Sequence, residues 1–328
     1  MKFPYYFGQG NRPAEPITLP EPHSQMLRAP AQYRPDPGLV AACNVALLLG
    51  QPLLLTGEPG TGKTQFANSL AHELGLGDPL KFETKSTSDA RELFYAYDAL
   101  RRFQDAQSGI QSPNSLPYLR YNALGQAILR TRDPDEISDI VPDDFDHSEK
   151  TRSVVLIDEI DKAPRDLPND ILNELEQLYF RIPELDNVRV DADPDLYPVI
   201  IITSNSEKAL PDAFLRRCIY YHIPFPERAR LEEIILQRLG DRISAQDTLL
   251  NDALALFLRL REQTSGLRKK PATAELLGWL VALQQTSQGM ENPMGDKEVV
   301  LNTLSILVKT AADQPHAREI TEQWLNSK

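Results

Sequence analysis

Leu53-Leu54-Leu55-Thr56 runs straight into Gly57-Glu58-Pro59-Gly60-Thr61-Gly62-Lys63-Thr64, and this junction constrains the fold more than any other stretch. A short unbroken apolar run predicts a strand buried on both faces, as in a parallel sheet. The eight residues after it fit the pattern G-x-x-x-x-G-K-[ST]. Glycines there let backbone N–H groups wind round an anion, a concavity that side chains would block. Gln65 to Leu74 continue as an amphipathic helix, so the anion would sit on a positive helix N-terminus. The stretch predicts a nucleotide phosphate site made of Gly57, Glu58, Pro59, Gly60, Thr61, Gly62, Lys63 and Thr64. Lys63 is expected to reach the β- and γ-phosphates of ATP, and the Thr64 hydroxyl to bind Mg²⁺.

Val154-Val155-Leu156-Ile157-Asp158-Glu159 repeats the same logic with a different ending. Its β-branched run predicts a second buried parallel strand, and its carboxylates fall at the strand's C-terminal end, where ligands bind in open α/β sheets. Asp158 is placed to hold Mg²⁺ through water, and Glu159 to orient and deprotonate the attacking water. A third run, Val199-Ile200-Ile201-Ile202-Thr203-Ser204-Asn205, ends in small polar residues. Asn205 there is a candidate partner for the γ-phosphate or the lytic water; the competing reading is an Asx turn closing the strand. Asp158 follows Lys63 by 95 residues, more than one or two crossovers need, so residues 85–150 contain an insertion.

The rest of the chain arranges itself around these strands. Residues 1–37 are proline-rich and aperiodic, an extended arm whose Phe3, Tyr5, Tyr6 and Phe7 are able to dock it. A helix closed by Gly50 precedes the first strand, and its first turn is a candidate wall for an adenine. Leu80 to Thr84 alternate as a short strand. Ser88 to Phe103, Tyr121 to Leu129, Pro168 to Phe180 and Leu210 to Cys218 read as helices, the last ending in Arg216 and Arg217. Residues 131–150 carry eight acidic residues against Arg132 and Lys150, which reads as a solvated loop rather than a metal site. Ile219 to Ile223 form a fourth clear strand. After Pro224 and Pro226 only helical patterns follow: 227–239, 247–263, 271–286, 296–312 and 316–326. The chain divides on this reading into an arm (1–37), an α/β nucleotide domain (38–226) and an all-helical lid (227–328).

Composition excludes several classes. A formal charge of −12 and a pI near 5.0 argue against a general nucleic-acid or anionic-membrane binder. No apolar run approaches the ~18 residues of a membrane span, and Met1-Lys2-Phe3-Pro4 opens without the apolar core of a signal peptide, so the cytoplasm is the expected place. Cys43 and Cys218 each sit in an apolar stretch and read as structural thiols.

In this order the pieces resemble an AAA+ ATPase, and within that superfamily the MoxR-type bacterial ATPases. The resemblance rests on Gly57–Thr64 (Walker A), Val154–Asp161 (Walker B), Thr203-Ser204-Asn205 (sensor 1) and Leu210–Cys218 (the arginine-finger helix). The insertion in 85–150 looks like the helix-2 insert of MoxR-like members. The family implies an α/β P-loop core with a parallel five-stranded sheet in 51432 order, a helical lid, and a hexameric ring with ATP shared between subunits. It implies Arg217, with Arg216 beside it, as the finger reaching the neighbouring subunit's ATP. One departure stands out: the family's sensor 2 is an Arg beside a Pro. Here the stretch is Leu267-Arg268-Lys269-Lys270-Pro271-Ala272, which leaves Lys270 as a point charge without a bidentate fork, or a cluster that simply caps a helix.

Many MoxR-type proteins act with a partner bearing a von Willebrand A domain. The expected function is therefore ATP hydrolysis by a ring homo-oligomer that remodels or activates a protein partner. The alternatives are a nucleotide-dependent scaffold or switch with little turnover, against which Glu159 and Arg217 speak, and a nucleic-acid motor, against which the charge speaks. Expected also is that Leu93-Phe94-Tyr95-Ala96-Tyr97 in the insertion works on the partner; the competing reading fills a core with these aromatics.

Overall fold

The computed structural model describes residues 15, 18–19, 29–109, 115–205, 208–240, 243–244, 246–286, 290 and 292–328. Most of the proline-rich arm, with Phe3, Tyr5, Tyr6 and Phe7, lies outside the described residues. The chain divides into two compact units. One comprises residues 33–58 and 62–224; the other comprises 225–328 with 59–61 and the described residues up to Gln32.

Along the first unit run α1 (Pro37–Leu49), β1 (Leu53–Thr56), α2 (Lys63–Leu74), β2 (Leu80–Glu83), β3 (Tyr95–Tyr97), α3 (Ala99–Gln107), β4 (Leu119–Tyr121), α4 (Ala123–Leu129) and α5 (Pro134–Ile137). They are followed by β5 (Val154–Asp158), α6 (Leu167–Asp170), α7 (Leu172–Gln177), β6 (Tyr179–Ile182), β7 (Val188–Asp191), β8 (Val199–Ser204), α8 (Asp212–Leu215) and β9 (Ile219–His222). Five strands pair in parallel in the order β2-β5-β8-β1-β9, the sheet the sequence predicts. Each apolar run is buried on both faces because its alternate residues feed two cores. Leu54, Val155, Ile157, Ile200 and Ile202 enter one, with Phe94, Leu124, Ile128 and Phe180. Leu53, Leu55, Val154, Leu156 and Ile201 enter the other, with Leu39 of α1 and Phe66 and Leu70 of α2.

The insertion departs from the sequence reading. Ser88 to Phe103 do not form one helix: a short 3-10 turn, Arg91–Leu93, leads into β3, which pairs antiparallel with β4, and α3 follows. The Phe94 carbonyl accepts from Asn122 N–H at 2.8 Å, and the Asn122 amide group donates to Glu92 O at 2.6 Å. Gly125 of α4 makes the close approach possible, since a Cβ there would lie 2.0 Å from the Phe94 oxygen. Leu93, Phe94 and Tyr95 are consequently core, with Phe94 stacked on Phe180 at 5.5 Å. Tyr121, read as helical, belongs to β4. The reading of Pro168 to Phe180 as one helix also fails: Leu178 adopts φ 50° and ends α7, and Phe180 and Ile182 turn into the β6–β7 hairpin.

The acidic run is anchored rather than merely solvated. Ile137 of α5 is buried, Phe145 packs edge-on against Tyr121, and Lys150 bridges Asp133 and Asp193. Among the described residues no acidic, His or Cys group is arranged to hold a metal ion in the manner of a dedicated cluster. Cys43 is buried and Cys218 half-buried; burial pushes their thiols up to about 11 and about 12, so both stay protonated.

The second unit is helical among its described residues: α9 (Arg228–Leu239), α10 (Thr248–Arg261), α11 (Thr273–Thr286), α12 (Lys297–Thr303) and α13 (Gln314–Asn326). The pattern 296–312 is thus shorter as a helix than expected, giving way to a 3-10 turn at Leu304–Ile306. Trp279 is fully buried at the centre, its indole N–H donating to Thr303 Oγ1 at 2.9 Å. No helix among the described residues is long and apolar enough to cross a membrane.

Candidate functional site

Parallel strands align their C-terminal ends on one edge of the sheet, and the polar residues at the ends of β1, β5 and β8 meet there. Gly62, at the N-cap of α2, has φ 92°, which a residue with a Cβ rarely adopts, and a Cβ would press on the Tyr33 ring at 2.9 Å. Tyr33 packs edge-on against Phe66 of α2. Lys63 opens that helix and is buried, its ammonium donating to the Gly57 and Glu58 carbonyls at 2.8 and 3.0 Å. Burial pulls this ammonium below its usual range, against the charges of Asp161, Asp158, Glu159 and Glu58 that hold it up.

The Thr64 hydroxyl donates to Asp158 Oδ1 at 3.0 Å, so α2 and β5 present an alcohol and a carboxylate side by side. That hard-oxygen pair suits Mg²⁺, which takes a few protein oxygens and leaves the rest of its shell to phosphates and water. Thr203 of β8 donates to the same Oδ1 at 2.6 Å, and Lys81 of β2 meets Oδ2 at 3.0 Å. Burial alone would raise the Asp158 carboxyl; the bonds from Thr203, Lys81 and Thr64 and the Lys81 charge overcome it and hold the group below its usual range.

Glu159 leaves the strand in the left-handed conformation, φ 57°. Such backbone is uncommon outside glycine and concentrates at sites the surroundings over-determine. Here Thr203 Oγ1 accepts the Glu159 N–H at 2.9 Å, so one hydroxyl sets both consecutive carboxylates. Asn205 Nδ2 donates to Glu159 Oε1 at 2.9 Å, while the Asn205 N–H donates to the buried Asp161 at 3.2 Å. Lys162 pairs with the other Glu159 oxygen.

The expected residues Lys63, Thr64, Asp158, Glu159 and Asn205 therefore converge within one unit. Arg217, in the same unit, is held apart from them by other partners. Arg216 caps the C-terminal end of α8, its N–H donating to Asp212 O at 3.1 Å, and Arg217 follows in the turn. Arg217 donates to Glu176 Oε2 of α7 at 3.0 Å and to Ala213 O at 3.1 Å. Lys270 lies in the helical unit, half-buried. The turn around it is fixed by others: Asp313 accepts the Arg268 and Lys269 N–H groups at 2.9 and 3.1 Å, and Glu275 accepts from Ala272 N–H. A cavity of about 1110 Å³ lies at the opposite, N-terminal edge of the strands, between Leu48, Leu74, Arg152 and Tyr197, and holds none of the expected site residues.

Sequence reading missed Lys81, Lys162, Thr203 as a positioning group, and Tyr33. The Glu159–Lys162 spacing and the alternation of β2 carried a signal for two of them; Tyr33 carried none. Residues 53–226, more than half of the chain, match the model of the family described as "ATPase family associated with various cellular activities (AAA)". None of the curated proteins searched matches the chain.

Proposed function

Because the chain belongs to the AAA family of ATPases, we propose that it binds ATP with Mg²⁺ at this sheet edge and hydrolyses it in a ring homo-oligomer that remodels or activates a protein partner, as MoxR-type members do. The observation that carries this reading is the convergence of Lys63, Thr64, Asp158, Glu159 and Asn205 at adjoining strand ends. In the reaction Lys63 exchanges the Gly57 and Glu58 carbonyls for the β- and γ-phosphates. Thr64 and Asp158 would hold the metal, which would supply neutralisation of charge on the phosphates. Glu159, aimed by Asn205, takes a proton from the attacking water. The water oxygen bonds to the γ-phosphorus as its bond to the bridging oxygen breaks, leaving ADP and phosphate. Lys162 must release its Glu159 oxygen for that oxygen to accept a proton.

Arg217 is the residue proposed to complete a neighbour's site. It is partly exposed, and its present partner Glu176 is itself more than half exposed, so the pair is weak enough to exchange. On the insertion, the partner-facing residues are proposed to be Leu100 and Phe103 of α3, both exposed, in place of Leu93 to Tyr95. The test is ATP turnover by the purified protein, its sedimentation with and without ATP, and stimulation by a candidate partner bearing a von Willebrand A domain. A protein that neither binds nor hydrolyses ATP would overturn the proposal.

A further inference from the structure

We propose that Lys81 is a built-in counter-cation of Asp158 that keeps bare divalent ions out of the nucleotide-free site. This rests on the assignment of Thr64 and Asp158 to the metal. Both strands dictate the contact. β2 and β5 are parallel with Glu83 opposite Asp158, and Lys81, two residues earlier, falls on the same face as Glu83. Its ammonium lies 3.0 Å from Asp158 Oδ2 and 2.6 Å from Glu83 Oε1. Asp158 Oδ1 takes the hydroxyls of Thr203 and Thr64 at 2.6 and 3.0 Å, and Oδ2 takes the lysine at 3.0 Å with a longer bond from Thr64 at 3.3 Å.

The other lysines near the site are committed elsewhere. Lys63 is turned onto loop carbonyls, and Lys162 pairs with Glu159. Without Lys81 the Asp158 carboxylate, bonded to the hydroxyl of Thr64, would lose its direct ion pair and keep only the more distant charge of Lys63, leaving an oxygen site open to a free divalent cation. With Lys81 in place such an ion must displace a charge from Asp158 and gains only two protein oxygens in return. An ion that arrives on ATP brings phosphate oxygens as well, so the metal–nucleotide complex displaces the lysine where the bare ion does not. Glu83, largely exposed, gives the displaced ammonium somewhere to remain. The consequence is an order of binding, metal together with nucleotide, set by one residue on an edge strand.

The test is Mn²⁺ binding followed by electron paramagnetic resonance on the full chain, with and without ATP. Lys81→Met keeps the aliphatic stem and removes the charge. It should bind Mn²⁺ without nucleotide about fivefold more tightly than wild type, the order expected for a partly exposed charge pair, and this gain should vanish on adding Asp158→Asn. Lys81→Arg should restore wild-type behaviour. Nucleotide-free Mn²⁺ affinity of Lys81→Met equal to wild type, with Mn²⁺–ATP bound by both, would overturn the role of Lys81 alone. If neither protein binds Mn²⁺–ATP and Asp158→Asn changes nothing, the metal assignment falls and the inference with it.

Discussion

The amide of Asn205 donates to Glu159 at 2.9 Å, joining the ends of two strands that are 46 residues apart in the chain. It fixes one oxygen of a carboxylate whose backbone is already held out of the ordinary range. Glu159→Gln preserves the shape and the acceptor oxygen but removes the base. The variant should bind ATP with near wild-type affinity and lose turnover by roughly 10²- to 10⁴-fold, the span expected for a general base. Asn205→Ala should fall between it and wild type. Single-turnover hydrolysis beside an ATP titration checks both; unchanged turnover in Glu159→Gln would remove it from the chemistry.

Lys63→Ala removes the ammonium that donates to the Gly57 and Glu58 carbonyls of the phosphate loop. Charged hydrogen bonds to the phosphates are worth about 1.5–3 kcal/mol each, so ATP affinity should fall by roughly 10- to 100-fold. Titration with a fluorescent ATP analogue measures it. Equal affinity for variant and wild type would sink the phosphate-site assignment.

Arg217→Ala should bind ATP normally and lose hydrolysis by roughly 10³-fold or more if the residue acts on a neighbour's phosphate. Mixing Arg217→Ala with Lys63→Ala subunits should then regain activity, because some interfaces pair an intact Lys63 with an intact Arg217. A monomeric wild type that is fully active, with no gain on mixing, would refute action between subunits. Arg216→Ala is expected to be the milder change.

The corrected insertion makes opposite predictions for two phenylalanines nine residues apart. Phe94 is buried against Phe180, so Phe94→Ala should cost about 3–5 kcal/mol of stability. Phe103 is 60% exposed on α3, so Phe103→Ala should stay within about 0.5 kcal/mol while weakening stimulation by the partner. Urea melts and partner-stimulated turnover separate the two. A large loss of stability in Phe103→Ala would show that α3 packs in the folded chain.

Gly125→Ala tests the packing of α4 on the start of β3 from the other side. Alanine favours a helix by about 1 kcal/mol over glycine, but here its Cβ would meet the Phe94 carbonyl at 2.0 Å. The variant should therefore melt at a lower temperature than wild type. A rise in melting temperature would mean that β3 can move away from α4 freely.

The sequence by itself determined the parts whose physics is local. Leu53–Leu55, Val154–Ile157 and Val199–Ile202 are apolar on both alternating faces, so they had to be central strands of a covered parallel sheet. The spacing of Gly57, Gly62, Lys63 and Thr64 set the turn and the helix behind it, and the polar ends of three such strands had to share one edge. Tertiary structure decided what depends on register between distant segments. Whether Tyr95 lies in a helix or a strand turned on Tyr121 being opposite it; its own neighbours carry a pattern that suits either. Lys81 reaches Asp158 because Glu83 happens to be that residue's partner across two strands, and a one-residue slip would send Lys81 to the other face. Periodicity along a chain reports which face of an element is buried, while the identity of what it is buried against is fixed only when the elements meet.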